Sequence, residues 1–262
     1  MTPEMLLALE ALTAEAQAAF AALALVFARV GPVFALAPAF GERVVPARIR
    51  LVAALAMSVL IAPAVAGQIP LPDRALVPAT LFLASETLVG VILGLALRLM
   101  VMALQMAGTM AAQATSLAQA FGATGVDPQP AIAQVLMMGG LALAVLSGLP
   151  ERLAQLLVLS YQLFPAGDWP TPADLAQWGV ARAAQAFALA FSLAAPFVIG
   201  SGLYNLALGA INRAMPQLMV AFIGAPALTL GGLALLLLAA PLMLGLWLPA
   251  LLGALVDPTV QP

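Results

Sequence analysis

Between Ala183 and Val256 the chain carries a single charged side chain, Arg213, in a run that is otherwise almost wholly apolar. Few folds accept such a run. In hydrocarbon every backbone N–H and C=O must be satisfied from within the protein, which restricts spanning structure to helices and closed barrels. A run of about 20 apolar residues is long enough for one helical crossing. The rest of the chain has the same character, at 64% hydrophobic, 8% charged and a mean hydropathy of +1.11, where a soluble domain is roughly a quarter charged. The expectation is an all-α integral membrane protein of about six long, partly kinked helices arranged as helical hairpins. Residues 1–262 read as one membrane domain with no soluble domain.

Charge and residue inventory narrow the function. Nine Arg, no Lys and eleven acidic residues leave a net charge of −2, so there is no basic surface for nucleic acid. Cys and His are both absent, which removes disulfides, thiolate and imidazole chemistry and the usual transition-metal ligands. No cofactor, metal or catalytic residue is expected. Glu4, Glu10 and Glu15 precede the first apolar run, the reverse of a signal peptide's basic start, so the first segment is expected to remain in the mature protein.

Six stretches are candidate spans: Ala16 to Pro38, Ile49 to Ala66, Leu76 to Gln105, Pro130 to Pro150, Leu175 to Ile211 and Gln217 to Leu251. Leu153 to Phe164 continues the fourth as a bent half-helix. At ~1.5 Å per residue the fifth would reach roughly 55 Å, well past a ~30 Å hydrocarbon core. Pro196, Pro226, Pro241 and Pro249 are the expected bending points. Broken helices are tolerated mainly where protein or a water-filled cavity surrounds them, and the many Ala and Gly side chains allow close helix approach. The chain therefore reads as a subunit packed among others. Arg43, Arg48 and Arg50 in the first connector place that connector on the cytoplasmic side and the N-terminus outside, by the positive-inside rule.

Several constellations stand out from the apolar background. Glu86, Gly90, Gly94 and Arg98 recur every four residues on one slowly drifting helix face. Glu86 and Arg98 are ~18 Å apart along the axis and cannot neutralise each other. An unpaired charge at bilayer depth costs at least ~2.5 kcal/mol, so each needs a partner elsewhere. Intersubunit pairing is the functional reading, and snorkelling of Arg98 is the bland one. Arg29 lies inside the first apolar run and is a functional candidate by its depth. Gly31 and Pro32 follow it directly, so it also reads as the last turn of a shorter helix, where the dipole favours a cation. Arg213 invites the same two readings, with Pro216 opening the next helix.

Leu99 to Val126 is uncharged yet carries Gln113, Thr115, Ser116, Gln119, Gly122, Thr124 and Gly125. It is too polar for a lipid-facing span. Met100, Met102, Met106 and Met110 are flexible and polarizable, suited to sealing an irregular gap while yielding to a passing chain. Two readings stand: a movable plug, or an ordinary loop after a methionine-rich core face.

Taken in order, these features resemble the R subunit of the flagellar and injectisome export gate, the FliR family. They are Arg29 with Pro32, Val45-Pro46-Ala47-Arg48, Glu86 with Gly90 and Gly94, Ala107-Gly108, Asp127-Pro128, and Asn205 through Arg213 to Pro216 and Gln217. Gly139 to Leu149 departs from the pattern in lacking a histidine found in many relatives. The resemblance implies a core gate subunit that joins P and Q subunits (FliP and FliQ type) in a helical pore complex, together with other export-gate and basal-body proteins. Unfolded secreted proteins would be the cargo, and the bacterial inner membrane at the flagellar basal body or injectisome base the location. A pore plug is implied over Met106, Gly108, Met110, Gln113, Gln119, Phe121, Gly122 and Gly125, in a loop spanning about Gly108 to Gly125. Intersubunit packing or pairing is implied for Arg29, Arg48, Glu86, Gly90, Gly94, Arg98, Asn205, Arg213, Pro216 and Gln217.

A secondary transporter of a small solute is the alternative, since such proteins also use broken helices and intramembrane charges. Inverted repeats would mark one, and none is visible. An intramembrane hydrolase would need paired aspartates, but Asp127, Asp168, Asp174 and Asp257 fall outside the apolar runs.

Overall fold

A computed structural model describes residues 3–70, 76–115, 131–215 and 220–256. Gln119, Phe121, Gly122, Gly125, Pro216 and Gln217 lie outside the described residues. Seven α-helices follow one another among those described: α1 (Pro3–Leu36), α2 (Ala47–Val65), α3 (Leu76–Thr115), α4 (Ala131–Leu146), α5 (Leu149–Leu163), α6 (Pro172–Ala214) and α7 (Val220–Val256). No strand occurs among them. Five of the helices are long and apolar enough to cross a membrane, or six spans if α4 and α5 count as one. The chain is a membrane-type helical protein.

Local sequence accounts for the helix ends. Thr171 starts α6: its hydroxyl accepts the Asp174 N–H at 3.3 Å and donates back to the Asp174 carboxylate, while Pro172 occupies the first turn, where a missing N–H costs nothing. Gly148 separates α4 from α5 at φ +83°, a backbone state that a side chain resists. The break falls earlier than the sequence reading, which ended the fourth segment at Pro150. Pro150 instead lies in the first turn of α5, for the same reason that Pro172 starts α6.

Three expectations changed in extent. α1 begins at Pro3 rather than near Ala16, because the intervening Ala, Leu and Glu are strong helix formers. It also runs through Gly31 and Pro32 to Leu36, so Arg29 is not in a final turn. α3 continues past Gln105 to Thr115. Ala107, Ala111, Ala112 and Ala114 support that extension, and the first part of the expected loop is helix. Pro32, Pro63 and Pro196 lie within helices rather than at their ends.

The helices gather into two compact units. The first draws on α1, α2, α3 up to Arg98, α5 and the start of α6. Its core includes Val30, Phe34, Leu93, Leu97, Leu153 and Leu157, each essentially inaccessible to solvent. Between α1 and α2 the chain turns tightly, with Ala39 at φ 65°. Arg50 holds this turn by donating to the carbonyls of Phe40, Glu42 and Val45 at 3.1–3.3 Å.

The second unit takes the rest of α3, α4, most of α6 and most of α7. Trp247 is wholly buried there, and its indole N–H donates to the Met100 carbonyl at 2.8 Å. Gly140 lets Leu104 and the Trp247 ring approach, and Gly108 lies against the Ala133 backbone. Small residues at these crossings permit backbone-close packing.

Candidate functional site

Within the first unit a charged cluster sits where solvent does not reach. Arg29 on α1 is fully buried and Glu86 on α3 is 1% exposed. The pair is a two-pronged fork: Arg29 Nε donates to Glu86 Oε2 at 2.7 Å and Nη2 donates to Oε1 at 3.0 Å. Nη1 donates to Ser160 Oγ on α5 at 3.1 Å, and Nη2 donates also to the Phe164 carbonyl at 3.0 Å. Four of the five guanidinium N–H groups are thereby engaged. The Tyr161 ring covers the guanidinium at 3.7 Å, adding a cation–π contact.

Neighbouring elements complete the setting. Glu86 Oε1 also accepts the Gly167 N–H at 3.1 Å, in the turn after α5. Gly167 sits at φ +87° against the Phe82 ring, where a Cβ would collide. The Ser160 hydroxyl in turn donates to the Leu157 carbonyl at 2.7 Å. One turn beyond Glu86, Gly90 lies against the backbone carbonyl of Arg29, closer than any Cβ allows. Gly94 does the same against Pro32 and Leu36. The four-residue spacing thus builds a flat strip on α3 against which α1 lies, with the ion pair at one end.

At the other end Arg98 Nη1 meets Glu42 Oε1 at 2.7 Å, with side chains 26% and 10% exposed. Each charge on the strip finds a partner on the segment that runs from α1 into the α1–α2 turn.

Arg29, Glu86, Gly90, Gly94 and Arg98 were expected to pair or pack between subunits; here their partners are inside the chain. The physical reason is cost. Two opposite charges in charge-free runs are buried together more cheaply than apart. Ser160, Tyr161, Phe164 and Gly167 were missed. Adjacent Ser160 and Tyr161 in an apolar helix were the available signal.

The remaining candidates are dispersed. Arg48 is exposed in the first turn of α2, and Asn205 and Arg213 are exposed on α6. Arg213 occupies the last turn of α6, where the helix dipole favours a cation. Met106, Gly108, Met110 and Gln113 lie on α3, with Gly108 buried, the two methionines half-buried and Gln113 exposed.

The cluster suits holding. Its acid and base are locked on each other. What it joins is α1, α3, α5 and the turn leading to α6.

Comparison with known proteins gives this architecture a family. Residues 20–253 match the family described as bacterial export proteins, family 1. The chain is 36% identical over 220 residues to the flagellar biosynthetic protein FliR of Caulobacter vibrioides, covering 82% of this chain and 86% of that protein. Over 225 residues it is 29% identical to FliR of Escherichia coli, covering 82% of each. With FliR of Bacillus subtilis it shares 30% over 217 residues, 79% of this chain and 81% of that one. On the extent of these matches, the chain belongs to the FliR family of bacterial export proteins.

Proposed function

We propose that this chain is the R-type core subunit of the flagellar protein export gate, joining P and Q subunits in a helical pore complex that passes unfolded proteins across the bacterial inner membrane. The observation that carries the reading is the family match over 20–253 with relatives named for flagellar biosynthesis. The surface supports it. On α6 and α7, Ile199, Leu203, Leu206, Leu237, Leu238 and Leu242 are all more than 60% exposed. Such a surface needs lipid or sister helices. Gly202 and Gly209 on α6, and Gly231 and Gly245 on α7, have nothing among the described residues within reach of a Cβ, as expected of small residues kept for a neighbouring helix.

In this reading the Arg29–Glu86 cluster stiffens the first unit so that it enters the assembly preformed. Exposed Arg48, Asn205 and Arg213, with Pro216 and Gln217, are the contacts offered to partners. Met106, Gly108, Met110 and Gln113, continuing to Gln119, Phe121, Gly122 and Gly125, form the gating stretch.

Copurification in mild detergent tests the assembly. Tagged full-length chain should carry P and Q subunits with it, and Gly209→Leu should release them while leaving the chain folded. A stable monomer from the same membranes, able to move a small solute across liposomes unaided, would overturn the proposal in favour of a transporter.

A further inference from the structure

An open groove runs between α2 and α5 in the first unit, with a volume of about 430 Å³. Leu60 and Ile61 form one wall, and Ala154, Gln155, Val158 and Leu159 the other. Its size falls within the roughly 300–1,000 Å³ of small-molecule sites, and its lining is apolar but for one amide. A polar solute has too few partners there.

Charge at one end points to the occupant. Arg152 lies on α5 just before the groove residues and shares a helix face with Gln155 and Leu159, at spacings of three and seven. Among the described residues its side chain has no ion pair and no hydrogen bond. The adjacent Glu151 carboxylate does not neutralise it: Glu151 folds back over Gly148 at the start of α5. A cation without a counter-charge, one turn from an apolar channel on a membrane protein, is matched by a molecule with an anionic head and a hydrocarbon tail. An Arg side chain can lay its stem along such a channel and keep its fork at the rim.

We propose that the α2–α5 groove binds one anionic phospholipid, with an acyl chain between Leu60 and Leu159 and the phosphate on Arg152. This inference is independent of the export reading, since it needs only the membrane setting of the first unit.

Native mass spectrometry of the full-length chain, released from nanodiscs of equal parts phosphatidylglycerol and phosphatidylcholine, tests it. The wild type should retain one lipid per chain after annular lipid is stripped, with phosphatidylglycerol favoured about fivefold, the effect of one basic residue at an anionic surface. Arg152→Gln leaves the groove intact and should bring the two lipids to equal retention. Ala154→Phe should abolish retention by filling the channel. Absence of a retained lipid in the wild type, or a preference unchanged by Arg152→Gln, would overturn the proposal. So would a photo-crosslinker at Leu159 that, in cells, captures a protein helix rather than phospholipid.

Discussion

Removing one side of the buried ion pair should cost far more than removing both. In Glu86→Ala, Arg29 loses the bonds at 2.7 and 3.0 Å but keeps Ser160, the Phe164 carbonyl and the Tyr161 ring. Its charge stays where no solvent reaches. The part-buried Gly167 N–H also loses its acceptor, which adds to the cost. Breaking a buried pair typically costs about 3–5 kcal/mol, and we take that range for the single variant. Against a whole stability of about 5–15 kcal/mol, such a loss is severe. The double variant Arg29→Met, Glu86→Leu removes both charges and keeps the space filled. It should recover most of the loss, because two matched apolar side chains need no desolvation of ions. Thermal unfolding of the purified chain in detergent, followed by intrinsic fluorescence, reads the difference. The order should be wild type, then the double variant, then Glu86→Ala well below both. If Glu86→Ala unfolds within about 1 kcal/mol of wild type, the typical surface-pair value, the pair is not holding the unit together and the reasoning fails.

Other expectations follow from the same contacts. Gly90→Val drives a side chain into the Arg29 carbonyl, which cannot step aside as a side-chain end would, and should destabilise by at least the ~1–3 kcal/mol of an overpacked core on the same unfolding assay. Gly202→Ala meets nothing within 4 Å among the described residues and should be neutral or gain up to ~1 kcal/mol of helix propensity in the isolated chain. Tyr161→Phe keeps the ring over Arg29 and deletes a buried hydroxyl that has no hydrogen-bond partner among the described residues, so unfolding should shift by less than ~1 kcal/mol. Arg98→Ala breaks the partly exposed pair with Glu42 and should cost about 0–1 kcal/mol, falling further with added salt.

Much of the fold was legible because apolar length is a direct physical constraint. Long, mostly apolar runs leave only helices or closed barrels as spanning structure, and the six read from the sequence match the described helices, the fourth and its bent continuation forming α4 and α5. Boundaries were harder. Pro32 and Pro150 each offer two readings, an end or a first turn or interior position, and packing decides between them. α1 passes through Pro32 because its far side lies on Gly94; no local propensity reveals that.

The charged cluster was half legible. Arg29 and Glu86 stood out singly as charges at apolar depth, and Gly90 after Glu86 announced a close approach. Their partnership spans 57 positions along the chain, and the packing of α1 on α3 across the intervening α2, rather than periodicity, brings them together. Ser160 and Tyr161 carried a weaker signal, since a lone serine in a helix more often bonds its own backbone. Ser160 does both, bonding the Leu157 carbonyl while accepting from Arg29.

The central claim, that this membrane helical chain is a working part of flagellar protein export, meets its most direct test in secretion. A strain of the source organism lacking the gene should release no flagellar filament protein into the medium, and the wild-type chain supplied in trans should restore it. Gly209→Leu should accumulate in membranes yet fail to restore secretion. Undiminished release of filament protein from the deletion strain would contradict the account.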